Sequence, residues 1–348
     1  MTFSITLKPS QKHFDLEANQ FILQAALAQN IVLPYGCKDG ACGSCKARVA
    51  SGTIEQGPHS AGALRQDEKD KGYALLCCAK ACSDLVIEAR VLAGMGDIPI
   101  KKMPCRVASI NKVAPDVVVL KLQLPATEKL VYLAGQYIEI IMRDGTRRPY
   151  SMACAPHLAE QLELHVRHMP GGKFTDGLFG VTTPAVKERD ILRFEGPLGT
   201  FFLREDSDKP IVLLASGTGF APIKAVIEHA LMKGLMRPMT LYWGGRRPQD
   251  LYMHQMCLQW AAEYPGFHYV PVISDALPED AWTGRSGFVH KAVMADFPDL
   301  SAYQVYACGA PFVVDSAQKE FLELCSLPSD EFYADSFVTA ADTAKLTA

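Results

Sequence analysis

Three cysteines in one glycine-rich loop constrain the first part of this chain more than any other feature. The loop reads Tyr35-Gly36-Cys37-Lys38-Asp39-Gly40-Ala41-Cys42-Gly43-Ser44-Cys45, a C-x4-C-x2-C spacing, and Cys77, Cys78 and Cys82 follow downstream. This is the thiolate pattern of a plant-type [2Fe–2S] centre, with its fourth ligand drawn from the second group. Gly36, Gly40 and Gly43 let the backbone take positive φ and close on inorganic sulfide. The loop N–H groups then bond to the sulfurs and tune the potential. An amphipathic stretch at 21–28 has helical spacing, and alternating segments at 3–7 and 13–16 read as a hairpin.

Other uses of the thiols fit less well. The 11 cysteines of this 348-residue chain are odd in number, and the opening MTFSITLKPSQ has no basic segment before an apolar block. Neither a disulfide framework nor a secretory signal is therefore expected. A zinc site asks for paired C-x2-C knuckles, and the loop holds one. A thioredoxin-like pair at Cys42 and Cys45 would need a strand leading into a helix.

A hydrophobic share of 49% and a charged share of 21% describe a globular chain long enough for two or three domains. A net charge of −3 leaves no basic footprint for nucleic acid. No apolar run reaches the roughly 20 residues that span a bilayer. The expectation is a cytoplasmic monomer that binds neither nucleic acid nor membrane.

Two seams divide the chain. Residues 92–104 are rich in Gly, Pro and Lys and read as a linker, and Arg204–Pro210 is a polar run before an apolar one. Between them, short strands at 117–122, 137–142, 162–166 and 191–194 suggest a small antiparallel barrel. After Pro210 the pattern alternates strand and helix. Ile211–Ala215 is a continuous apolar run, as in a strand buried on both faces. Ser216-Gly217-Thr218-Gly219-Phe220-Ala221-Pro222 turns it into a helix from about Ala221, and further strands read at 240–243, 268–273 and 304–307. This predicts a doubly wound parallel sheet. His165 and His168 lie on a predicted strand as surface or cofactor-adjacent residues, with no H-x-x-x-H or H-E-x-x-H pairing in the chain.

Several motifs add a resemblance. Leu75-Leu76-Cys77-Cys78-Ala79-Lys80-Ala81-Cys82 resembles the closing segment of a plant-type ferredoxin, which implies Cys77 as the fourth ligand and Cys78 and Cys82 as ordinary small residues. Arg148-Pro149-Tyr150-Ser151, Gly172-Lys173-Phe174-Thr175, Gly135-Gln136-Tyr137 and Gly196-Pro197-Leu198-Gly199 resemble elements of the ferredoxin–NADP reductase superfamily. So do the G-x-G-x-x-P turn from Gly217 to Pro222 and Cys308-Gly309-Ala310-Pro311.

The resemblance implies an α+β multidomain chain: a β-grasp ferredoxin over 1–95, a linker over 96–104, an antiparallel β-barrel binding FAD over 105–205, and an α/β nucleotide domain with a tail over 206–348. Arg148 would offer a planar fork to the pyrophosphate, with Arg147 as the alternative. Gly172, Lys173 and Thr175 would hold phosphate oxygens, Tyr150 would lie flat on the isoalloxazine, and Ser151 would bond near its N5. Gly217, Thr218, Gly219, Pro222, Gly309 and Pro311 would shape the nicotinamide site, with the Cys308 thiol beside the reacting carbon. Phe337 would approach the flavin, or close a final strand. Arg246 and Arg247 stand where an adenosine ribose would lie and suit a 2′-phosphate, yet relatives of this arrangement use NADH, so NADH is implied before NADPH.

The function implied is electron transfer from NADH through FAD and [2Fe–2S] to an oxygenase, hydroxylase or other iron-containing acceptor. The reading is the reductase component of a multicomponent oxygenase. Its alternatives are the electron donor of a CDP-6-deoxy-3,4-glucoseen reductase type, a non-catalytic relay subunit, and a self-sufficient oxidoreductase.

Overall fold

The computed structural model describes residues 1–92, 98–158 and 160–337. The chain divides into two compact units: Met1–Pro99 with Gly199–Phe201 and the segment from Ala334, and Ile100–Leu198 with Phe202–Tyr333.

In the first unit the chain forms β1 (Thr2–Lys8), β2 (Lys12–Glu17), α1 (Ile22–Ala28), β3 (Lys46–Ser51), β4 (Ile54–Gln56), α2 (Gln66–Asp70), β5 (Tyr73–Leu75), β6 (Ala79–Ala81) and β7 (Leu85–Glu88). Five strands make one mixed sheet in the order β2-β1-β7-β3-β5, and β4 pairs with β6. β1 runs parallel to β7 and antiparallel to β2. Alternation decides the buried face: Ile5 and Leu7 of β1 and Phe14 and Leu16 of β2 point inward, and α1 covers them with Ile22, Leu23, Ala25 and Ala26. The cysteine loop connects α1 to β3.

The second unit begins with β8 (Lys101–Ala114), β9 (Val117–Gln123), β10 (Tyr137–Ile141), β11 (Arg147–Ser151), β12 (Gln161–Arg167), α3 (Lys173–Leu178) and β13 (Ile191–Leu198). Their order is β11-β10-β13-β8-β9-β12, and every neighbouring pair is antiparallel. The outer strands meet through a bridge between Met152 and Leu164. Met103, Leu120, Ile138, Phe174 and Phe194 fill the core. Residues 101–104, read as linker, are the first four of β8 and pair with β13. Met103 is buried there while its neighbours face outward, and a single apolar residue among lysines and a proline carries too little pattern to mark a strand. Residues 96 and 97 of that linker, and the tail after 337, lie outside the described residues.

The unit continues with β14 (Ile211–Ser216), α4 (Phe220–Met232), β15 (Met239–Gly245), α5 (His254–Glu263), β16 (Phe267–Ile273), β17 (Arg285–Ser286), α6 (Val289–Asp296), β18 (Gln304–Gly309), α7 (Pro311–Leu324) and β19 (Phe332–Ser336). The sheet order is β17-β16-β15-β14-β18-β19, with β14 parallel to both β15 and β18. Ile211–Ala215 is buried throughout, as a strand covered on both faces must be. The chain leaves β14 toward β15 on one side and returns as β18 on the other. A crevice at the carboxyl end of such a strand is where open sheets bind ligands.

Candidate functional site

The cysteine loop is built around its sulfurs. The Ala41 and Cys42 N–H groups each donate to Cys37 Sγ at 3.3 Å, and the Cys37 N–H donates to Cys42 Sγ at 3.3 Å. Gly40 has φ +81°, and a Cβ there would sit 2.9 Å from the Pro58 carbonyl oxygen, so only glycine fits. Tyr35, two residues before Cys37, is anchored along its length. Its N–H donates to Thr200 Oγ1 at 2.8 Å, its carbonyl accepts from the Thr200 N–H at 3.1 Å, and its hydroxyl accepts from the Gly199 N–H at 3.1 Å.

The four thiols associate two by two. Contact with Cys42, then burial, pushes the Cys37 thiol far up, while the same contact holds Cys42 down against its burial. Contact with Cys45 likewise raises Cys77. Four thiolates this close do not all ionise unless positive charge sits between them, which is what a di-iron core supplies. No three Cys, His, Asp or Glu side chains among the described residues are grouped to hold a lone metal ion. A two-iron cluster asks for something else, two thiolates at each iron, and the donor set fits it. Cys78 touches Cys77 and its Sγ also accepts from Gln56 Nε2 at 3.2 Å, and Cys82 is exposed.

On the antiparallel sheet, register separates the two adjacent arginines. Arg147 lies on the face of Glu139 and Glu195 and bonds both, at 2.9 and 3.0 Å. Arg148 shares the opposite face with Tyr150, and its Nη1 donates to the Arg147 carbonyl at 2.8 Å. Tyr150 packs its ring against Phe174 at 5.3 Å, and Ser151 is buried. Gly172 caps the start of α3, and a Cβ there would lie 2.6 Å from Thr175 Oγ1. The Thr175 hydroxyl bonds inside the turn, donating toward the Met169 carbonyl at 2.9 Å. Lys173 is exposed and pairs with Asp144. Thr175 therefore shapes the turn rather than presenting its hydroxyl outward. His168, expected at the surface or a cofactor, is half-buried and bonds Asp176 at 2.9 Å, which also accepts the Gly171 N–H.

At the carboxyl end of β14 the two glycine turns pack back to back. A Cβ on Gly219 would lie 2.1 Å from the Cys308 carbonyl oxygen, and one on Gly309 would lie 2.7 Å from Ser216. Adjacent strand ends approach this closely only without side chains. The Trp243 indole N–H donates to the Gly217 carbonyl at 3.0 Å and its ring stacks on Phe220 at 3.9 Å, holding the turn from behind. Thr218 and Cys308 are buried, Pro222 lies in the first turn of α4, and Pro311 opens α7. Phe337 is half-buried just after β19. Beyond the end of β15 lies a cavity of about 250 Å³ lined by Pro115, Asp116, Arg246, Arg247, Gln249, Asp250 and Asp275.

Three domain families match in succession: the 2Fe-2S iron-sulfur cluster binding domain over residues 5–82, the oxidoreductase FAD-binding domain over 104–203, and the oxidoreductase NAD-binding domain over 213–319. The CDP-6-deoxy-L-threo-D-glycero-4-hexulose-3-dehydrase reductase of Yersinia pseudotuberculosis is 41% identical over 97% of this chain and 99% of its own. The chain belongs to the ferredoxin-fused FAD/NAD reductases. The terephthalate 1,2-dioxygenase reductase component 1 of Comamonas sp. is 34% identical over 98% of each chain. Among solved structures, the Amycolatopsis cytochrome P450 reductase GcoB superposes with a TM-score of 0.74, at 32% identity over 97% of this chain and 99% of that one. The protein is thus an oxidoreductase with [2Fe–2S], FAD-binding and NAD-binding domains.

A second group of residues in this reductase carries no motif in the sequence. Arg167, the last residue of β12, reaches the nucleotide turn: its Nη1 lies 2.8 Å from where a Gly217 Cβ would stand. Below it runs a buried polar network. The Lys224 ammonium donates to the Ala153 carbonyl at 2.8 Å and to Glu228 at 2.6 Å, and lies 3.1 Å from Glu163. His165 stands between Glu163 at 3.0 Å and the Tyr252 hydroxyl at 2.9 Å, so it is neither a surface residue nor a metal ligand. Burial alone would depress Lys224, and the carboxylates of Glu163 and Glu228 more than reverse it. Burial lowers His165 despite Glu163. Ala153 is two residues past Ser151, and Lys224 two past Pro222, so the network ties the R-P-Y-S strand to the helix of the nucleotide turn. The one signal in the sequence was a lysine and a glutamate at i, i+4 inside an otherwise apolar helix.

Proposed function

We propose that this reductase passes electrons from NADH through its flavin and cluster to an iron-containing partner protein, with residues 1–95, 105–205 and 206–348 as its three working parts. The five-stranded sheet is read as a β-grasp ferredoxin. The six-stranded antiparallel sheet is read as the flavin barrel, supported by the Met152–Leu164 bridge between its outer strands. When bound, the flavin takes two electrons together and gives them up singly, which matches a nicotinamide donor to a one-electron cluster.

The residues of the chain do the holding. Cys37 with Cys42, and Cys45 with Cys77, ligate the two irons. Arg148 takes the pyrophosphate, since Arg147 is committed to two carboxylates. Tyr150 and Ser151 orient the ring, and Gly172 with its turn admits the phosphate backbone. Gly217, Thr218 and Gly219 receive the nicotinamide half of the donor, with Arg167 over the turn and Cys308 behind it. The observation that carries this reading is the pairwise thiol arrangement in one chain with the fused glycine turns of β14 and β18.

Two acceptors stand. The 41% identity to the dehydrase reductase favours a dehydrase of deoxysugar synthesis. The terephthalate dioxygenase relative, and the phenol 2-monooxygenase reductase component of Pseudomonas sp. at 33% identity, favour an oxygenase component. No helix of the described residues is long and apolar enough to cross a membrane. A cytoplasmic monomer is the working form proposed, on the composition argued above. Anaerobic mixing of the NADH-reduced protein with each purified partner tests the assignment. Oxidation of the cluster by one partner and not the other names the acceptor. Oxidation by neither rejects both.

A further inference from the structure

The cavity at the end of β15 carries a choice that the domain families leave open. It is walled by three carboxylates, Asp116, Asp250 and Asp275, and by Arg246 and Arg247. Asp250 is bound into the turn, accepting the N–H groups of Arg246 at 2.8 Å and Arg247 at 3.1 Å. The Arg247 guanidinium does not serve the cavity. Its Nε and Nη2 donate to the two oxygens of Asp280 at 2.6 and 2.8 Å, and Glu279 stands 3.7 Å away. Asp280 is itself seated by the Leu277 N–H at 2.9 Å.

NADPH differs from NADH by one 2′-phosphate on the adenosine ribose. A site that accepts this group needs a planar arginine fork free to face it. Here the fork of Arg247 is spent on a carboxylate outside the cavity; on the walls Asp116 is paired with Arg167 at 3.1 Å, and Asp250 and Asp275 stand beside Arg246. A ribose diol, by contrast, donates hydrogen bonds to carboxylates without conflict of charge.

We propose that Asp280 is a specificity-determining residue: by holding Arg247 in a two-point ion pair it withholds one of the two guanidiniums that would together receive a 2′-phosphate, and so favours NADH. The inference rests on a nicotinamide dinucleotide being the donor, and oxidation of NADH by the wild-type protein checks that separately. Asp280→Asn keeps an oxygen for the Leu277 N–H but cannot pair both guanidinium nitrogens. Asp280→Ser serves the same purpose if the first variant does not fold.

The measurement is kcat/KM with NADH and with NADPH, using a dye acceptor and the FAD-loaded protein. Releasing Arg247 raises kcat/KM for NADPH about tenfold or more, mainly through KM, and leaves that for NADH within about threefold; one fork on a phosphate is worth this much. Arg247→Gln alone gives no such rise, because the guanidinium it removes is already held by Asp280. Combined with Asp280→Asn, it erases the gain. A ratio of the two coenzymes that stays within about twofold of wild type overturns the proposal. So does a gain that survives in the double variant, or a wild-type preference for NADPH.

Discussion

Lys224→Met removes the buried ammonium that bridges Glu163 and Glu228, leaving only the half-exposed Lys121 at 3.8 Å from Glu163, and its cost can be worked from the geometry. Lys224 is 5% exposed, and its ammonium touches Glu228, Glu163 and the Ala153 carbonyl. Methionine matches the volume and leaves Glu163 and Glu228 facing each other. Breaking one partner of a buried pair costs about 3–5 kcal/mol. Glu163 points the same way: burial alone would raise it, but His165 and Lys224 bring it from 4.5 to about 2. A shift of that size corresponds to about 3 kcal/mol of net stabilisation, of which Lys224 supplies a part and His165 the rest. In a unit of this size the variant melts roughly 6–20 °C lower.

The pH dependence distinguishes electrostatics from packing. Below about pH 4.5 the unfolded wild type binds a proton that folded Glu163 refuses, so stability falls as pH drops from about 4.5 toward about 2. In the variant the unneutralised carboxylates take up protons at higher pH. Its deficit is therefore largest at pH 7 and shrinks toward pH 5. The assay is urea unfolding followed by tryptophan fluorescence, since Trp243, Trp260 and Trp282 are the only tryptophans and all lie after residue 205. A deficit under about 1 kcal/mol, or one that does not change between pH 7 and 5, refutes the charge network.

Three further outcomes are expected. Cys77→Ser abolishes the visible absorbance of the cluster while Cys78→Ser keeps it, because Cys77 contacts Cys45 of the loop and Cys78 reaches only Cys77 and Gln56; the reverse pattern moves the fourth ligand. Gly219→Ala forces a methyl 2.1 Å from the Cys308 carbonyl and lowers flavin reduction by NADH at least a hundredfold, an estimate for displacing reacting groups by about 1 Å, with FAD still bound; normal stopped-flow rates would show that the turn can yield. Cys308→Ala slows the same step and retains both cofactors, and an unchanged rate makes Cys308 a packing residue.

The cysteine loop was legible because ligand spacing is itself the chemistry, and the β14 turn because a strand buried on both faces leaves an apolar run that glycines end. Other parts were not, for physical reasons. Arg147 and Arg148 are neighbours in sequence, and only register shows that one faces Glu139 and Glu195 and the other Tyr150. The Thr175 hydroxyl turns into its own loop, a rotamer choice that no motif encodes. Lys224 and His165 sit in segments whose apolar pattern masks them, and one partner of each, Glu163 for Lys224 and Tyr252 for His165, comes from a distant part of the chain. Asp280 follows Arg247 by thirty-three residues in an irregular stretch, so nothing local announces the pair.

The central claim is a single route from a two-electron donor to a one-electron carrier, and anaerobic NADH titration watched by electron paramagnetic resonance tests it directly. The account predicts uptake of about 1.5 NADH per chain, two electrons on flavin and one on the cluster, with the signal of a reduced [2Fe–2S] centre growing in. Flavin bleaching with no cluster signal, in protein that contains iron and sulfide, would contradict it.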